Sequence, residues 1–215
     1  MVKIVALLGD FWHNHDDAKA GLEAAISRLP YKEAVDLQYI TYEEVSQALD
    51  GKPDLFINAK MDQLNPKDEQ VITWLTEDLD QVLENYVLEG GSVLAWHAGM
   101  AGYKIESNYI QMLRGYFLYH PPGLQHVTYM HKENEKSGEN TFPLSDEQYF
   151  VHCDTANTEV DLWSTGEDGN SLAGWKHHYG KGKVCCFTPA HTKEGMLDKN
   201  VSSLLAEKID WILAK

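Results

Sequence analysis

Six residues in this chain combine side chains able to move protons or hold metal ions with positions beside apolar runs. They are His13 and His15 in FWHNH, His97 in AWHAG, His120 in LYHPP, Glu147 in SDEQY and His191 in PAH. Two chemistries suit them. In the first, two or three histidines together with Glu147 bind a divalent transition metal such as zinc and leave a position open for substrate or water. His97, His120 and His191 are the histidines expected to ligate it. No close spacing such as HExxH is present, so the fold itself has to assemble any such site. In the second, His97 is a metal-free general base or acid whose pKa is set by Glu147 or a neighbouring His, with His191 completing the catalytic set. His126, His131, His152, His177 and His178 read as structural or surface groups.

These residues must be positioned by the elements around them. Ser92–Trp96 is a short, nearly all-apolar run bracketed by glycines, the signature of a strand buried on both faces of a parallel sheet. His97 follows it, then Ala98 and Gly99, small residues suited to a tight turn. Ligands of open α/β sheets sit outside the carboxyl ends of the strands, so this turn presents the imidazole at the functional edge. Strands are also expected over Lys3–Leu8, Val35–Ile40, Asp54–Ala59, Gln125–His131, Tyr149–His152, Val160–Thr165, Ser171–Trp175 and Lys183–Thr188. Helices are expected from an Asp16 cap to about Leu29, over Tyr42–Leu49, Asp68–Leu88 and Ser107–Leu113, and over about Val201–Leu213. Phe117–Gly123 reads as a Pro-stiffened loop, Lys132–Asn140 as a polar, mobile one, and YGKGK (Tyr179–Lys183) as a turn. The early β-α-β-α-β order is that of a parallel sheet with right-handed crossovers. The first, third, central and last strands of that sheet end near His13, Asn58, His97 and His191, so the groups named above are expected to share one crevice.

At 215 residues with 43% hydrophobic and 24% charged residues, the chain is expected to form one soluble domain with a full core. No apolar run approaches the roughly 20 residues that span a bilayer, and MVKIVALLGD reads as a first strand, not a signal peptide. Three cysteines, two of them adjacent in an apolar strand, argue against a disulfide framework and for a reducing cytoplasm. A net charge of −15 without a Lys/Arg cluster disfavours nucleic acid and anionic membranes as partners. A neutral small molecule such as a sugar fits better, and a homo-oligomer is left open. Trp12, Trp96, Tyr103 and Trp175 are of the type that stacks on a sugar face, although core packing is the commoner use of each. With His13, His15 and His120, the first three form the candidate substrate-binding set. There is no GxSxG elbow, and the GxG of YGKGK lacks the strand–helix context of a dinucleotide site.

The pieces GGSVLAWHAG (Gly90–Gly99), LRGYFLYHP (Leu113–Pro121), DEQY (Asp146–Tyr149) and GWKHHYGKGKVCCFTPAH (Gly174–His191) recur in the order and spacing of the ThuA-like family. This is the trehalose-utilisation group of the class I glutamine amidotransferase-like fold, and the chain resembles it over most of its length. FWHNH (Phe11–His15) fits the family's His-bearing first loop less tightly. Ala190 stands where the family often has Gly. The resemblance implies a single ThuA-like domain over residues 1–215. Its fold is an α/β, flavodoxin-like three-layer sandwich with a mostly parallel central sheet and extra antiparallel strands. It places His97 where amidotransferases carry a nucleophilic Cys, so thiol-based glutamine hydrolysis is not expected. It implies trehalose, related disaccharides or their 3-keto derivatives as substrates, and a keto-sugar lyase, isomerase or hydrolase as the activity. A ketone acidifies the adjacent C–H, which suits a His base paired with an electrophile on the carbonyl. A non-catalytic carbohydrate-binding module and an amidotransferase-like scaffold are the alternatives.

Overall fold

The computed structural model describes residues 1–132 and 140–214. The first half of the chain runs β1 (Val2–Leu8), α1 (His15–Ile26), β2 (Val35–Ile40), α2 (Val45–Asp50), β3 (Leu55–Ala59), α3 (Glu77–Leu88) and β4 (Ser92–Trp96). The second half continues with α4 (Asn108–Leu113), β5 (Gly115–Tyr119), β6 (Gln125–His131), β7 (Thr141–Asp146), β8 (Phe150–Cys153), β9 (Glu159–Gly166), β10 (Gly169–Tyr179), β11 (Gly182–Phe187), α5 (Lys193–Leu197) and α6 (Lys199–Leu213).

One sheet holds nine strands in the order β2-β1-β3-β4-β11-β10-β9-β6-β7. The pairings among β2, β1, β3, β4 and β11 are parallel, and those from β11 outward through β10, β9, β6 and β7 are antiparallel. β5 and β8 form a separate two-stranded sheet. The period-2 alternation of the central strands splits the core in two. Ile4, Ala6, Leu94 and Trp96 pack with Leu22 and Ala25 of α1 and Leu205 and Ile209 of α6. Val5, Leu7, Val93 and Ala95 face the other way, onto Leu49 of α2, Leu83 and Val87 of α3 and Leu113 of α4. Helices thus cover both faces, giving the three-layer α/β sandwich. Each fully buried Leu or Val contributes about 1.5–3 kcal/mol of transfer free energy, so the central strands are held from both sides.

Four local expectations are corrected. The helix expected from Asp68 begins only at Glu77, where Thr76 caps it by accepting the Leu79 N–H. Trp74 keeps the apolar spacing going ahead of that cap but turns inward and donates its indole N–H to Met61 O. Helix α1 is capped by Asn14, which accepts the N–H groups of Asp16 and Asp17, not by Asp16, and it stops at Ile26. Phe117–Tyr119 belongs to strand β5, so the Pro-stiffened loop starts at His120. Thr141–Asp146 forms an unanticipated strand. Pro143 lies within it and is tolerated because β7 is the edge of the sheet. Of the polar loop expected over 132–140, residues 133–139 lie outside the described residues.

Candidate functional site

The central strand β4 delivers its histidine through a strained turn. His97 has φ +46°, in the left-handed region that a side-chain-bearing residue seldom occupies, at a cost of order 1–3 kcal/mol. The 3-10 turn His97–Met100 follows at once. Gly99 in that turn presses on β3 so closely that an added Cβ would lie 2.0 Å from Asn58 O. Close packing of two adjacent strand exits therefore fixes where the imidazole emerges. The ring stacks on Tyr149, with centroids 4.1 Å apart and planes 25° apart.

Hydrogen bonds define the tautomers. His97 Nδ1 lies 2.6 Å from Thr188 O, which can only accept, so Nδ1 carries the proton and Nε2 is a free lone pair. His13 is arranged in the same way. Its Nδ1 donates to Asp10 Oδ1 at 2.7 Å, while Asp10 also accepts the N–H groups of Trp12 and Met61. The Nε2 atoms of His13 and His97 are buried and have no hydrogen-bond partner. His191 Nδ1 is 3.1 Å from Glu147 Oε2, an ion-pair separation that is not aligned as a hydrogen bond, and it too is unpartnered. One ligand atom from each of His13, His97, Glu147 and His191 fits within 4.8 Å of all the others.

Electrostatics follow from this convergence. Burial pulls the His97 imidazole down to about 4, so it is neutral at pH 7. Burial pushes the Glu147 carboxyl up, but His191 and His97 outweigh it and hold the group well below the usual carboxylate range. The Glu147 carboxylate in turn raises the His191 pKa against the opposing effect of burial. Asp146, wholly buried, is pushed up to about 6 by desolvation.

The residues singled out in the sequence fall into three places. His13, His97, Glu147 and His191 form the tight group. His120 stands at its edge, one-third exposed, with Nε2 3.7 Å from Glu147 Oε2 and Nδ1–H donating to Pro121 O. The tight group thus includes His13 where the sequence pointed to His120. His15 lies outside, half-exposed, against Asp16 and Tyr39. Trp12 is half-exposed on the first loop, and Lys67 sits over its ring. Trp96, Trp175 and Tyr103 are buried and spend their polar atoms inside the protein, on Pro189 O, Leu113 O and Lys60 O respectively. His177 is also buried and donates Nε2–H to Met112 O. Asp10, Asp146 and Tyr149 were not singled out individually. The usable signal for Asp10 was a carboxylate at a strand exit three residues before a histidine. For Asp146 and Tyr149 it was their place on either side of Glu147.

A mixed nine-stranded sheet covered by helices on both faces, with a histidine at the turn after its central strand, defines a three-layer α/β protein. The family model described as trehalose utilisation, ThuA, matches residues 10–212, and the chain belongs to that family. The fold is shared with a ThuA-like protein from Parabacteroides merdae ATCC 43184 at TM-score 0.74 and 12% identity, covering 99% of this chain and 90% of that one. A ThuA-like protein from Bacteroides uniformis ATCC 8492 aligns at TM-score 0.71 and 16% identity over 100% and 92%. A protein from Salmonella typhimurium LT2, described as cytoplasmic, aligns at TM-score 0.63 and 15% identity over 98% and 99%. No curated protein matches in sequence. Among the described residues no helix is long and apolar enough to cross a membrane.

Proposed function

We propose that this protein is an enzyme acting on a sugar or keto-sugar, with a divalent metal such as zinc bound by His13, His97, His191 and Glu147. The observation that carries the reading is the pair of buried, unpartnered Nε2 atoms on His13 and His97, each aimed by an acceptor behind the opposite ring nitrogen. Leaving such atoms unpaired costs about 1–3 kcal/mol each, a cost that an ion at their meeting point removes. Carboxylate or carbonyl support behind a ligating imidazole is the usual arrangement around protein-bound metals.

A bound ion of this kind supplies Lewis-acid polarisation of a carbonyl or activation of a water. The chain's own groups divide the remaining work. His97 at a pKa of about 4 is a weak base at pH 7, but it offers a lone pair with no proton to displace. That favours ligation over proton abstraction for this residue. His120 is better placed to move a proton: its Nδ1–H is tied to Pro121 O, its Nε2 is free, and it is partly open to solvent. General-base help of this kind is worth about 100- to 10,000-fold. Tyr149, stacked on His97 and parallel to the His120 ring within 13°, keeps both imidazoles in register. Free rather than bridged cysteines are in keeping with a reducing, cytoplasmic setting.

The test is turnover of trehalose and 3-keto-trehalose by untagged protein, with and without a chelator. Conversion that chelation and His97→Ala both abolish supports the reading. Binding without product under every condition points to a carbohydrate-binding module instead.

A further inference from the structure

We propose that the groove beyond the carboxyl ends of β1 and β2 is a second subsite, holding a neutral, hydroxyl-rich ring joined to the ring held at the His13–His97 centre. This inference rests on the sugar reading above and adds to it where the remainder of the ligand lies. The cavity has a volume of about 440 Å³, within the range of small-molecule sites. Gly9, His15, Tyr39, Tyr42, Glu43 and Lys60 line it.

The groove and the histidine centre are built from neighbouring residues of the chain. Gly9 lines the groove, and the next residue, Asp10, holds His13. Lys60 lines the groove, and the N–H of the next residue, Met61, donates to Asp10. The exit of β1 therefore lies beside both.

Lys60 indicates the ligand's chemistry. Its ammonium is only partly exposed, makes one hydrogen bond, to Gly9 O at 3.2 Å, and forms no ion pair among the described residues. Burial lowers its pKa against the opposing charges of Asp10 and Glu43. It has donors to spare for hydroxyl oxygens. The Tyr42 ring lies 5.9 Å from Lys60 Nζ, and Tyr39, whose ring meets the His15 ring edge-on at 6.0 Å and carries Lys19 over it, lines the same groove. Glu43 is an exposed acceptor at the same rim and opposes an anionic guest. A donor, an acceptor and aromatic faces together suit a pyranose ring better than a phosphate or carboxylate.

The experiment is calorimetric titration of the full-length protein with trehalose, which has two rings, and methyl α-glucoside, which has one. Wild type is expected to bind trehalose about tenfold or more tightly than methyl α-glucoside. Lys60→Met and, separately, Tyr42→Ala should each remove about tenfold from trehalose affinity while leaving methyl α-glucoside affinity unchanged. The unchanged one-ring affinity shows in the same experiment that each variant is folded. Equal binding of the two sugars by wild type, or trehalose affinity untouched by both variants, overturns the subsite while leaving the sugar reading intact. Failure of wild type to bind either sugar overturns the subsite, and failure to bind or convert 3-keto-trehalose as well overturns the sugar reading.

Discussion

The Asp146 carboxylate holds the backbone N–H of His191 at 2.7 Å, joining the loop after β11 to the end of edge strand β7. The same oxygen accepts the Glu147 N–H at 3.0 Å, and its partner oxygen accepts the Tyr129 hydroxyl at 2.8 Å. One buried carboxylate therefore sets the distance between Glu147 and His191. Asp146→Ala strands three donors, the Tyr129 hydroxyl buried and the two N–H groups part-buried, and a buried donor costs about 1–3 kcal/mol when unpaired. Urea denaturation should show a loss of at least the cost of one such donor, and Asp146→Asn, which keeps an acceptor, should recover part of it. Equal stability of Asp146→Ala and wild type would contradict this role.

Asp10 does for His13 what Thr188 O does for His97. Asp10→Ala should lower zinc affinity about 10- to 100-fold in a chelator competition, the usual effect of removing the group behind a ligating histidine. An unchanged affinity would show that His13 orients itself without support.

Packing at the turn after β4 allows no side chain at position 99. Gly99→Ala would put a Cβ 2.0 Å from Asn58 O, and backbone must move on one side or the other. A loss of about 1–3 kcal/mol is expected, with Tm as the readout. Because the displaced segment carries His97, activity should fall further than stability alone explains.

How much of this was legible in the sequence depended on how local each signal was. The buried strand Ser92–Trp96 and the placement of His97 at its exit could be read because a five-residue apolar run between glycines has few other uses. The start of α3 could not, because Val71 and Trp74 continue the helical spacing while a loop-forming interaction, the indole N–H on Met61 O, decides the conformation. Strand β7 was hidden by Pro143, whose acceptability depends on an edge position that only the assembled sheet reveals. At the site, the gathering of strand-end histidines was foreseeable from a parallel topology. The substitution of His13 for His120 in the tight group was not, since it turns on Asp10 aiming one ring and Pro121 O holding the other.

Away from the site, His177 makes acid stability testable. Burial pulls its imidazole down to about 4 from an ordinary 6.5, partly opposed by the hydrogen bond to Met112 O. As pH falls through about 6.5 the unfolded chain takes up a proton that the folded chain refuses until about 4, so stability is lost across that window. His177→Gln keeps a donor to Met112 O and does not titrate. Its urea midpoint should decline less than that of wild type between about pH 7 and about pH 5. Parallel declines would show that this imidazole protonates freely in the folded state.

The central claim is that four chain-distant side chains form one metal centre. The most direct measurement is the metal content of untagged protein purified without added metal, for wild type and for the folded His97→Ala and His191→Ala variants. About one divalent ion per wild-type chain, lost in both variants, is the predicted result. Equally low, substoichiometric metal in all three proteins would contradict it.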